Sequence, residues 1–192
     1  MLLTVPTMLT ILRIALVPVL VLFFYLPFSW SNFACVVIFV LAAITDIADG
    51  AIARRTGQTS RFGEFLDPVA DKIMVTTALV LLVQRQETYQ AIFAIAAAVI
   101  VGREITISAL REWMAEIGER ALVSVSWVGK LKTIFQMTAI SLLFYHDDMW
   151  MIPMALIGEL LLYTAAALTL WSMWIYLKSA WPAISKTQFT ED

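Results

Sequence analysis

Apolar residues run almost unbroken through six stretches of this chain: approximately Leu9 to Phe28, Phe33 to Ala53, Asp67 to Val83, Tyr89 to Leu110, Trp127 to Tyr145 and Ile152 to Tyr176. Each is close to the roughly 20 residues an α-helix needs to cross about 30 Å of hydrocarbon. The pattern predicts an all-α fold, a polytopic membrane protein with six transmembrane helices in a single domain over residues 1–192. A water-soluble helical bundle would need polar faces that Val75 to Val83 and Ala91 to Val101 do not have. No internal repeat, low-complexity stretch or separate polar domain interrupts the series, and the tail from Ser179 is polar enough to lie outside the bilayer.

Composition agrees: 61% of residues are hydrophobic and 15% charged, too little polar surface for a soluble domain of this length. The first apolar run contains Arg13 and is followed by Trp30 rather than a small-residue cleavage site, so it reads as a retained span and not a signal peptide. Cys35 stands alone, which excludes an internal disulfide and gives no sign of zinc or redox chemistry.

Charge placement orients the spans. The turns Pro27 to Asn32, Gln84 to Thr88 and His146 to Trp150 hold a single basic residue, Arg85. The opposite side collects Arg54, Arg55, Arg61, Lys72, Arg103, Arg111, Arg120, Lys130, Lys132, Lys178 and Lys186, with Arg13 near the start of the first span. Positive residues stay on the cytoplasmic side, so both termini and the two longer loops are expected there.

Candidate chemistry concentrates in the stretch DIADGAIARRTGQTSRFGEFLDPVAD. Asp46 and Asp49 are three apart and share a helix face; Asp67 and Asp71 are four apart and share another, with Arg54 to Glu64 as a short connecting loop. An ionised side chain costs several kcal/mol in hydrocarbon, so four carboxylates between apolar flanks imply a compensating cation. Oxygen ligands converging from two helices suit Mg2+ or Mn2+, and four are enough to be shared between two ions. Asp67 precedes Pro68 and could instead be a helix N-cap with proline at the first helical position, though a cap needs no second acid at Asp71. Gly50, Ala53 and Gly63 leave room for a ligand beside the acids, or equally for close helix packing, and Arg54 could donate to a phosphate. A second polar group, Arg103, Glu104, Arg111, Gly129, Lys130, Lys132, Thr133 and Gln136, fits a phosphate-bearing second substrate, or lysines and arginines that merely reach for the interface. His146, the only histidine, reads as an ordinary loop residue.

The order Asp46-x2-Asp49-Gly50-x2-Ala53-Arg54-x8-Gly63-x3-Asp67-x3-Asp71 resembles the full signature of the CDP-alcohol phosphatidyltransferases. PTMLTILRIALVP, SRFGEFLDPVADK, Arg103-Glu104 and GKLKTIFQ are similar to the bacterial members that use glycerol 3-phosphate as acceptor. The resemblance implies a dimeric six-helix enzyme of the bacterial inner membrane, its active site open to the cytoplasm, with lipid and small-molecule partners and no nucleic acid. It implies that Asp46, Asp49, Asp67 and Asp71 hold two divalent ions, with Asp71 also the base. Asp49, Gly50, Ala53, Arg54, Arg61 and Gly63 are implied to line the CDP-diacylglycerol site, and Arg103, Arg111, Lys130 and Lys132 to hold sn-glycerol 3-phosphate. Thr4 and Thr7 stand where such chains commonly carry asparagine. A different acceptor, phosphatidylglycerol or inositol phosphate, would keep the acidic core and alter the basic group. A divalent-cation transporter would place acids at mid-membrane with a path to both faces, unlike this cluster near one end of its helices.

Overall fold

The computed structural model describes residues 4–56, 61–86, 89–119, 127–147 and 152–187. They form six α-helices: α1 (Val5–Tyr25), α2 (Ser31–Thr56), α3 (Arg61–Arg85), α4 (Gln90–Glu116), α5 (Trp127–Tyr145) and α6 (Met154–Thr187). The six apolar stretches are therefore six helices. By length and composition, however, four of them, α1, α2, α4 and α6, qualify as membrane spans among the described residues. By this measure four of the six expected spans are met. Charged Arg61, Glu64, Asp67, Asp71 and Lys72 occupy the first half of α3, and Lys130 and Lys132 the start of α5 with polar Gln136 at its middle, which leaves each with a shorter apolar run. Large apolar side chains such as Ile47, Ile95, Trp171 and Trp174 face outward on α2, α4 and α6, as suits helices that meet lipid. The chain is a multi-pass membrane protein.

Several helix boundaries move from the predicted positions. α2 runs on to Thr56 and α3 begins at Arg61, so Arg54 and the residues from Arg61 to Glu64 are helical rather than loop. Pro68 then lies inside α3 and Asp67 is not its N-cap. α6 likewise continues past Ser179 to Thr187.

The helix ends follow local chemistry. Thr4 caps α1, its hydroxyl accepting from the Thr7 N–H at 3.5 Å, with Pro6 in the first turn where a missing N–H costs nothing. Thr4 and Thr7 also share a hydroxyl contact of 2.9 Å. α4 ends at Glu116, and just beyond it Gly118 takes a φ of 80°, open to glycine at little cost. The Glu119 N–H reaches back to the Met114 carbonyl at 2.8 Å and the Gly118 N–H to that of Ala115 at 3.3 Å, closing the last turn.

The chain divides into two compact units. The first contains residues 1–88 and 140–158; the second contains residues 89–139 and 159–192. In the first, α1 packs extensively along both α2 and α3, which touch each other far less. Its end farther from the acidic residues is stitched by Arg85, which donates to Asn32 Oδ1 at 2.8 Å and to the Phe144 carbonyl at 3.4 Å and lies 4.7 Å from the Phe24 ring. The second has a core of Ile107, Leu110, Met114, Tyr176 and Ala180.

Candidate active site

The acids of the first unit meet a polar face of α1. Pro6, Thr7, Thr10 and Arg13 recur at helical spacing and are buried, so the inward stripe of an otherwise apolar helix carries two hydroxyls and a guanidinium. Arg13 is only 1% exposed. Its Nη2 donates to Asp49 Oδ2, and its Nη1 stands 2.8 Å from Asp46 Oδ1, an ion pair whose alignment falls short of a hydrogen bond. The shared face of Asp46 and Asp49 is thus real, and a single arginine reads it. One turn earlier, the Thr10 hydroxyl reaches Asp67 Oδ1 at 2.5 Å and the Pro6 carbonyl at 3.1 Å. The acids of α2 and α3 are accordingly linked through α1.

Environment separates the four carboxylates. The Asp49 side chain is 5% exposed and that of Asp46 46%; Asp67 is intermediate and Asp71, one turn further along α3, is exposed. Gly63 is buried in α3, rather than opening a loop, and Gly50 is half-buried beside Asp49. The side chains of Ala53, Arg54 and Arg61, expected to line a CDP-diacylglycerol site, lie outside the described residues.

Hard carboxylate oxygens are the donors that Mg2+ or Mn2+ takes, and Asp49 lies within electrostatic range of both Asp46 and Asp67. The donor chemistry therefore fits a divalent cation. Among the described residues, however, no three His, Cys, Asp or Glu side chains gather into a metal-holding group. Asp46 and Asp49 turn to Arg13 and Asp67 to Thr10. Part of the compensation expected of a bound cation is therefore built into α1.

The basic residues of the second unit converge in part. Arg103 and Arg111, two turns apart on α4, both lie over the ring of Tyr176, at 5.4 and 5.3 Å. Arg103 donates to Ser172 Oγ at 3.1 Å and Arg111 to the Tyr176 hydroxyl at 3.1 Å. Lys132, buried on α5, pairs with Glu104 Oε1, which also lies 3.5 Å from Arg103 Nη1. Lys130 is exposed.

Sequence reading had left Arg13 as a topology signal and missed Thr10, Ser172 and Tyr176. Their partners are 36, 57, 69 and 65 residues away in sequence, beyond the reach of local spacing. A polar stripe at i, i+3 within an apolar helix was the one available signal for Thr10 and Arg13.

A family profile described as CDP-alcohol phosphatidyltransferase matches residues 3–171, most of the chain. The chain belongs to the CDP-alcohol phosphatidyltransferase family. Relatives in this family are close. The chain is similar to the CDP-diacylglycerol–glycerol-3-phosphate 3-phosphatidyltransferase of Yersinia pestis (strain Pestoides F), 52% identical over 179 residues, covering 93% of this chain and 96% of the relative. The protein of the same name from Sodalis glossinidius is 53% identical with 93% and 95% covered. That from Shigella flexneri serotype 5b is 49% identical over 176 residues, with 92% and 94% covered. Membership in the CDP-alcohol phosphatidyltransferase family implies a metal-dependent transferase in general terms.

Proposed function

We propose that this enzyme transfers the phosphatidyl group of CDP-diacylglycerol to sn-glycerol 3-phosphate, giving phosphatidylglycerophosphate and CMP. The observation that carries the reading is near-full-length similarity, at about half identity, to proteins named for this reaction. The 1-hydroxyl of the acceptor attacks the β-phosphorus of CDP-diacylglycerol; a new O–P bond forms, the pyrophosphate bridge breaks, and CMP leaves with the bond's electrons. Asp71 is assigned as the group that takes the hydroxyl proton. Its exposure suits access by a water-soluble acceptor, in contrast to buried Asp49. Asp46, Asp49, Asp67 and Asp71 would hold divalent cations, which, when bound, neutralise pyrophosphate charge and stabilise the leaving group. Asp49, Gly50, Ala53, Arg54, Arg61 and Gly63 are assigned to CDP-diacylglycerol.

Arg103, Arg111, Lys130 and Lys132 are assigned to the phosphate of the acceptor. Arg103 and Lys132 share one carboxylate, Glu104, while Arg111 turns to the Tyr176 hydroxyl, and the resulting excess of positive charge complements a phosphomonoester of nearly two negative charges. The enzyme is assigned to the bacterial inner membrane as a homodimer, with its termini and acidic cluster on the cytoplasmic side, following the asymmetry of lysine and arginine. Offering the purified protein CDP-diacylglycerol with glycerol 3-phosphate, inositol phosphate, serine or phosphatidylglycerol in separate reactions tests the reading. CMP release should depend on glycerol 3-phosphate; preference for another acceptor would overturn it.

A further inference from the structure

Three polar side chains on one face of α6, Thr169, Ser172 and Tyr176, are buried at helical spacing opposite the arginines of α4. Buried polar groups in an apolar helix are costly unless they serve a partner. Ser172 accepts from Arg103, while its own hydroxyl donates to the Thr169 carbonyl at 3.0 Å. Tyr176 accepts from Arg111 through its hydroxyl and presents its ring to both guanidinium groups. The chemistry of these partners is distinctive. A hydroxyl and an aromatic face fix a guanidinium and stabilise its charge, but unlike Glu104, whose Oε1 lies 3.5 Å from Arg103 Nη1 and is shared with Lys132, they do not neutralise it. Arg103 Nε and Arg111 Nε, both buried, have no hydrogen-bond partner, so donor capacity is left over after these contacts are made.

We infer that Tyr176 and Ser172 are positioning residues for the acceptor's phosphate: they hold Arg111 and Arg103 in place while leaving their charge available to an incoming phosphomonoester. The inference rests on the proposal that these arginines bind the acceptor. In this role the two α6 residues act through Arg103 and Arg111, so their effect falls on acceptor binding and not on the chemical step. Tyr176 also sits in the apolar core with Ile107 and Met114, which gives a competing, merely structural explanation for its burial. That explanation predicts equal damage to every property of the protein.

The test compares Tyr176→Phe, Ser172→Ala and Arg111→Ala in the full-length protein, measuring KM for glycerol 3-phosphate, KM for CDP-diacylglycerol, kcat and the melting midpoint in detergent. Tyr176→Phe keeps the ring and removes the hydroxyl, so it is the substitution least disruptive to folding. Tyr176→Phe and Ser172→Ala should each raise the acceptor KM by about threefold to tenfold, below the roughly tenfold or greater rise for Arg111→Ala, with kcat and the CDP-diacylglycerol KM within about twofold of the parent. A raised acceptor KM in Arg111→Ala alone would overturn the positioning role and leave the acceptor pocket standing. An unchanged acceptor KM in Arg111→Ala would show that the pocket itself is wrongly assigned, and the positioning role would fall with it. Equal changes in both KM values together with a lowered melting midpoint would overturn the inference in favour of core packing.

Discussion

Replacing Arg13 by alanine should destabilise the protein far more than an ordinary substitution in a membrane helix. The size follows from what is left behind. Asp49, with a side chain 5% exposed, loses its cation, whereas Asp46, 46% exposed, can turn to water. Removing one partner of a buried pair typically costs 3 to 5 kcal/mol, against about 1 kcal/mol or less for an exposed pair. The Asp49 contact therefore dominates, and a loss of about 3 kcal/mol is expected. At roughly 2 to 4 °C per kcal/mol for a chain of this size, the midpoint of thermal unfolding in detergent should fall by about 6 to 12 °C. The measurement is made with chelator present, because a bound cation could take over the neutralising role of the guanidinium. Arg13→Ala combined with Asp49→Asn should recover much of the loss, since the orphaned charge is gone. A midpoint within about a degree of the parent for Arg13→Ala, or strict additivity in the double substitution, would refute the idea that Arg13 compensates buried Asp49.

Chelation by EDTA should stop CMP release and Mg2+ or Mn2+ should restore it, with Asp46→Asn, Asp49→Asn, Asp67→Asn and Asp71→Asn each inactive; for Asp71→Asn, turnover should fall more than nucleotide binding. Single cysteines at Gln58 and Asp147 in a Cys35→Ser background should label from opposite sides of sealed vesicles, Asp147 from the outer one; cytoplasmic labelling at Asp147 would reverse the assigned orientation. Arg103→Ala should raise the acceptor KM by roughly tenfold or more, and Lys130→Ala by less because Lys130 is exposed; equal damage to CDP-diacylglycerol binding would mean the basic group serves the other substrate.

Six helices were legible because each is an apolar run of the right length, and Asp46 with Asp49 was legible because both lie within one helix, where spacing dictates a shared face. What spacing cannot carry is a partner from another helix. Arg13 reads as one more cytoplasmic charge until α1 is packed between α2 and α3, and Tyr176 reads as the end of the last apolar run until α4 lies against it. The start of α3 was misplaced by six residues for a related reason: Arg61 to Glu64 are polar and Asp67-Pro68 imitates a helix start, yet the helix already runs through them. The same charges that made α3 and α5 chemically informative are what remove them from the set of helices apolar enough to span a membrane.

The direct test of phosphatidyl transfer follows an oxygen atom. Purified protein is given CDP-diacylglycerol and glycerol 3-phosphate whose 1-hydroxyl carries heavy oxygen, and the lipid and nucleotide products are analysed by mass spectrometry. Attack by that hydroxyl on the β-phosphorus predicts phosphatidylglycerophosphate with the heavy oxygen in its new ester bridge and CMP without it. Lipid lacking the label, or CMP formed with no phosphatidylglycerophosphate, would contradict the assigned reaction.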